Sequence, residues 1–132
     1  MVENVKYYRY QENEEAEKLV RMFFYAGIYD WTQWFPELLQ KDKSAGCIGV
    51  SDFQFCVFPG FYDEDEPEYF GKTGVMIFVN EPAAAVDSAV YLTNAEYFAE
   101  VSKWAPKYLE RFPEDAEEVA ELLEKLRIHF GL

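Results

Sequence analysis

The chain has 132 residues, half of them hydrophobic and 19% aromatic, and its 25 acidic side chains outnumber 12 basic ones for a net charge of -13. That composition is folded and not disordered, and the charge argues against nucleic acid or an anionic membrane as a partner, since both are held by clustered Lys and Arg. Residues 1–66 carry six basic and thirteen acidic side chains and residues 67–132 carry six and twelve, so neither half supplies a basic region.

Val2 to Tyr10 alternates weakly and is rich in Tyr, which fits an edge strand or an extended lead-in. It has no apolar core, and no later run approaches membrane-spanning length, so a cytoplasmic protein is expected. From Asn13 the period becomes helical: Ala16, Leu19, Val20, Phe23, Phe24 and Gly27 recur at three and four, opposite Glu14, Glu15, Glu17, Lys18 and Arg21. Trp31, Trp34, Phe35, Leu38 and Leu39 keep that spacing, with Pro36 opening a short helix or marking a break after a helical hairpin through Tyr29 to Trp31. The two Trp are expected in the core, with Trp31 a candidate for an exposed anchor at the corner.

Lys41 to Gly46 reads as loop. Ile48 and Val50 are in one phase and Phe53, Phe55 and Val57 in the other, which requires a bulge or turn near Ser51-Asp52 before a strand from Phe53 to Phe58. Val75 to Val79 is apolar on both faces, as in a doubly covered central strand, and Ala89 to Leu92 is a short third strand. Cys47 and Cys56, the two cysteines, have no metal-binding spacing and are expected as buried free thiols in a reducing compartment. Thr93 and Glu96 form a capping box for a helix to about Phe112, kinked at Pro106. A last helix has Pro113 in its first turn, Val119, Leu122, Leu123 and Leu126 as its buried stripe, and Gly131 as its stop. The order predicts one α+β domain over residues 1–132: a small antiparallel sheet of three or four strands, flanked by N-terminal and C-terminal helices packed mainly on one face.

Between the first two of these strands lies Phe61-Tyr-Asp-Glu-Asp-Glu-Pro-Glu-Tyr-Phe70, in which five of the six residues from Asp63 to Glu68 are acidic. Crowded carboxylates repel one another, and a Lys- or Arg-rich partner would relieve that repulsion. The run lacks the Gly at position six and the Glu at position twelve of a calcium loop, position twelve being Gly74, so no metal is expected. Catalytic residues are not expected either. The single histidine, His129, sits at a helix end, and the chain has no phosphate loop, nucleophile elbow or zinc spacing. No cofactor is implied.

Three stretches resemble the ribonuclease-toxin immunity proteins of bacterial contact-dependent growth inhibition (CDI) systems. They are Phe23-Phe-Tyr-Ala-Gly-Ile-Tyr-Asp-Trp31, the acidic turn leading into Gly74-Val-Met-Ile-Phe78, and the tail from Tyr108 to Leu126. The resemblance implies a cytosolic, non-catalytic protein that binds and neutralises the C-terminal nuclease domain of a cognate toxin. Its charge would come from Asp63, Glu64, Asp65, Glu66 and Glu68, with Tyr62 and Tyr69 as aromatic anchors. Two other classes fit the residues alone: an acidic adaptor or nucleic-acid mimic occupying a basic groove, and a small carboxylate enzyme or calcium module.

Overall fold

The structure is a computed structural model that describes residues 3–30, 35–39 and 46–132. Trp31, Trp34 and, of the expected loop from Lys41 to Gly46, all but Gly46 lie outside the described residues, and with them the hairpin corner at Trp31. The described strands are β1 (Lys6–Arg9), β2 (Cys47–Ser51), β3 (Gln54–Val57), β4 (Val75–Val79) and β5 (Ser88–Leu92). They form one sheet in the order β1-β5-β4-β3-β2. Three of its four pairings are antiparallel, and the fourth, β1 on β5, is parallel, with Lys6 opposite Ser88 and Arg9 opposite Tyr91. The α+β class therefore holds, with a five-stranded mixed sheet in place of three or four antiparallel strands.

Two local features account for the extra strands. The chain reverses at Ser51-Asp52 into a separate strand: Ser51 pairs with Gln54, so β2 and β3 form a tight hairpin, and the apolar phase changes because Ile48 and Val50 face the helices whereas Phe55 and Val57 lie on the other face. The Tyr-rich N-terminal segment joins the sheet edge through Lys6 N–H to the Asp87 carbonyl and Tyr10 N–H to the Tyr91 carbonyl, both at 2.9 Å. Beyond β1 the Tyr10 hydroxyl donates to the buried carboxylate of Glu100 at 2.6 Å, which ties the edge strand to a helix on the covered face.

That face carries α1 (Glu14–Tyr25), α2 (Phe35–Leu38), α3 (Asn94–Arg111) and α4 (Ala116–His129). Asn13 caps α1 by accepting from Ala16 N–H at 2.9 Å, and three acids in its first turn suit the positive end of the helix dipole. A five-residue π segment, Ala26–Asp30, follows. The Thr93–Glu96 capping box is formed in both directions, and α3 continues through an exposed Pro106 to Arg111. Pro36 lies in the first turn of the short α2. Pro113 opens a 3-10 turn that leads into α4, where Val119 and Leu126 are buried and Leu122 and Leu123 are half-buried.

Alternation along the strands divides the apolar residues between two clusters. Val75, Ile77, Val79, Val90 and Leu92 face the helices and pack with Phe23, Phe24, Tyr97, Val101, Trp104 and Tyr108. The covered core is aromatic throughout, with Phe24 stacked on Trp104 at 6.1 Å and Phe35 on Tyr108 at 5.2 Å. Tyr97 is fully buried, and its hydroxyl is satisfied by the Leu38 carbonyl at 2.8 Å. The other sheet face has a smaller cluster of Val57, Met76, Phe78 and Ala89, shielded by half-buried rings and, among the described residues, by no helix. Burial of β4 on both sides thus comes from helices on one face and aromatic side chains on the other.

Candidate functional site

The acidic segment occupies the connection from β3 to β4, at the margin of the helix-free face. Its backbone is organised by two successive turns. Glu66 N–H donates to the Asp63 carbonyl at 3.0 Å while Asp63 N–H donates to the Glu66 carboxylate at 3.1 Å, and Tyr69 N–H then donates to the Glu66 carbonyl at 3.1 Å. Reciprocal bonding of this kind is what an acidic residue three positions on can provide without distant support. Asp63, Glu64 and Asp65 are exposed, whereas Glu66 and Glu68 are half-buried. Among the described residues no Lys or Arg forms an ion pair with any of the five; the ion pairs present join Lys103 to Glu100, Lys125 to Glu121 and Arg127 to Glu124.

Tyr62 and Tyr69, the expected anchors, are both half-buried. Tyr62 packs edge-on to Phe61 at 5.0 Å and joins the sheet cluster. Burial and the nearby Glu68 carboxylate push its phenol above the ordinary Tyr range, so it stays a neutral hydrogen-bonding group. Tyr69 stands between two depressions. One, of about 370 Å³, includes Tyr62, Asp63, Glu64 and Lys72, and the other is a groove of about 670 Å³ running back towards β1. The structure thus brings the seven expected residues to one edge of the molecule.

Sequence reasoning missed the sheet surface beside them. Phe55 stacks on Phe78 with centroids 4.9 Å apart, and Phe70 meets Tyr91 edge-on at 6.1 Å. The Tyr91 hydroxyl donates to the Thr73 carbonyl at 3.1 Å, and Gly74 N–H donates to the Asn94 side chain at 2.9 Å. These two bonds pin the C-terminal end of the turn to β5 and to the first residue of α3. The available signal was the alternation of Met76 and Phe78 with residues of the other face, together with Tyr91 between Val90 and Leu92.

Cys47 corrects the expectation of two buried thiols. Cys56 is fully buried among the helices, but Cys47 begins β2 on the opposite face and is exposed. Alternation places residue 47 opposite in sense to the core residue Ile48. Partial desolvation still raises its pKa, which leaves little thiolate at neutral pH.

Among the described residues no group of three or more His, Cys, Asp or Glu side chains is arranged to hold a metal ion, and no helix is long and apolar enough to cross a membrane. What the site offers is an unpaired negative edge beside an aromatic sheet face. The family model for CDI immunity proteins matches residues 16–123, from α1 through most of α4 and across the whole acidic turn. The chain belongs to that family. No curated protein and no solved structure matches it. A CDI immunity protein binds and neutralises a cognate toxin.

Proposed function

We propose that this CDI immunity protein acts in the cytoplasm on a nuclease toxin, a ribonuclease, and blocks it by binding, with no chemistry of its own. Asp63, Glu64, Asp65, Glu66 and Glu68 meet the basic surface with which the toxin holds RNA phosphates, and Tyr62 and Tyr69 pack beside that contact. The observation that carries this reading is that, among the described residues, none of the five carboxylates forms an ion pair with a Lys or Arg. Like charges crowded on one turn without an ion pair repel one another, and docking on a Lys- or Arg-rich surface converts that repulsion into charge-assisted hydrogen bonds. The net charge of -13 adds long-range steering towards a positive partner.

The test is RNA cleavage by the C-terminal domain of the protein encoded immediately upstream, with and without one equivalent of this chain. Stoichiometric inhibition is expected. The double variant Asp65→Lys, Glu66→Lys should associate roughly tenfold or more slowly at low salt, and the difference should shrink as the Debye length falls to about 8 Å near 0.15 M. Unchanged association and salt dependence would remove the turn from the interface.

A further inference from the structure

The groove of about 670 Å³ has two banks. One is β1 and its continuation, with Tyr7 and Glu12; the other is the end of the acidic turn, with Glu68 and Phe70; Met76 and Tyr91 form the floor. The floor and both aromatic banks belong to the sheet's second cluster, the one that no described helix covers. The groove is therefore a cleft between two segments far apart in sequence, apolar and aromatic at its base and carrying a carboxylate on each bank.

From this geometry we propose that the groove is the socket for an arginine-bearing loop of the toxin, laid against the rings with its guanidinium between Glu12 and Glu68. This rests on the proposed toxin contact at the neighbouring turn and extends it to the β1 side of the sheet. Three observations select that occupant. The groove is several side chains in volume, enough for a loop tip, and Met76 and Tyr91 give it an apolar and aromatic base. Two carboxylates line it against the single guanidinium of Arg9, so its charge remains negative and complements a cation.

The chain itself shows how a guanidinium is accommodated here. Arg9 lies over the Tyr91 ring at 5.8 Å, the distance at which a cation is attracted by the ring quadrupole. Among the described residues no cation lies over Tyr69 or Phe70, so ring surface remains for a second one. A planar guanidinium can stack on a ring and bond a carboxylate in its own plane at once, which an ammonium cannot. The turn carboxylates would then govern encounter, and the groove would govern residence.

Two variants of the β1 bank separate this proposal from the role of the turn. Glu12→Gln removes the charge while keeping an oxygen for the bond that Glu12 accepts from Arg9 N–H. Tyr7→Ala removes ring surface, with a thermal melt to establish that it folds. Binding to the upstream-encoded toxin domain is followed by stopped flow and surface plasmon resonance across a range of salt. Both variants should dissociate roughly tenfold faster or more, with little change in the association rate or its salt slope. Prior treatment of the toxin with phenylglyoxal, which modifies arginine, should weaken wild-type binding, and complex formation should protect at least one arginine from the reagent. If Glu12→Gln and folded Tyr7→Ala bind like wild type while reversal at Asp65 and Glu66 impairs binding, the groove is refuted and the turn reading stands. If reversal of the turn is also silent, the turn reading fails too. Loss of binding after lysine acetylation of the toxin, with phenylglyoxal silent, would overturn the choice of arginine.

Discussion

Gly74 joins the acidic turn to β4 and gives a sharp test of how the site is held. Its φ is +90°, and a Cβ at this position would lie 2.4 Å from the Tyr91 hydroxyl oxygen and 2.5 Å from two ring carbons. Gly74→Ala therefore has two separable costs. Placing a non-glycine residue at that φ costs about 1–2 kcal/mol. Moving the Tyr91 ring aside sacrifices its bond to the Thr73 carbonyl, about 0.5–1.5 kcal/mol, together with some packing against Phe70. The sum is roughly 2–4 kcal/mol. With an unfolding entropy of about 2.1 cal/mol/K per residue, a chain of this length loses roughly 7–14 °C in Tm.

Gly71 provides the control, because its φ is +113° and a Cβ there meets nothing within 4 Å. Gly71→Ala should carry the backbone cost alone and lower Tm by roughly half as much. Calorimetry or circular dichroism melts of the two variants measure the difference. Equal losses in both would refute the claim that Tyr91 is clamped over Gly74, and with it the account of how the groove floor is fixed. In a Tyr91→Leu background, which has already lost the bond to the Thr73 carbonyl and frees the space, Gly74→Ala should cost little more than Gly71→Ala does.

Two further outcomes follow from burial and charge. The phenols of Tyr10, Tyr62, Tyr97 and Tyr108 are all raised above the ordinary value of 10.0, first by burial, with hydrogen bonds to Glu100 and Asp115 adding to the effect at Tyr10 and Tyr108. A group that holds its proton more tightly when folded contributes stability that is fully present below pH 10 and is lost as pH rises above it. Urea midpoints should therefore fall from pH 10 upwards, less steeply in Tyr108→Phe; a rise in stability over that range would contradict the assignment. In native protein, Ellman's reagent should titrate one thiol, Cys47, and do so slowly because its pKa is raised, with Cys56 appearing only on unfolding. Reaction of neither thiol in the folded state would displace Cys47 from the open face, and reaction of both would contradict the burial of Cys56.

The elements that could be read from the sequence are those whose signal is local. Asn13, the Thr93–Glu96 box and the period of Leu19, Val20, Phe23 and Phe24 place α1 and α3 closely, because a helix is specified within a few turns of itself. The parallel pairing of β1 was not legible, since its partner β5 lies about eighty residues away and a four-residue strand carries little period. The Ser51-Asp52 phase change was visible, but it reflects apolar residues on both sheet faces, Ile48 and Val50 on one and Phe55 and Val57 on the other, and so does not itself reveal the hairpin. The site divides in the same way. Asp63 to Glu68 are contiguous and stood out by composition, whereas the groove takes Tyr7, Glu12, Met76 and Tyr91 from three segments that only the sheet brings together.

The turn and its platform differ in how far each can change without cost to the other. Asp63, Glu64 and Asp65 are exposed, and the hydrogen bonds that shape the turn run within it, from Glu66 to Asp63 and from Tyr69 to Glu66. Substitution at such exposed positions alters stability by no more than about 0.5 kcal/mol, so the charge pattern presented to a toxin can be rewritten while the fold persists. Tyr91 and Gly74 have no such latitude, since each fills the space the other leaves. Phe55 and Phe78 are likewise matched face to face across β3 and β4. On the proposed interface, recognition can therefore diverge fastest at Asp63 to Asp65. A change in the basic surface proposed for the toxin would be followed there, one carboxylate at a time, against a sheet that stays fixed.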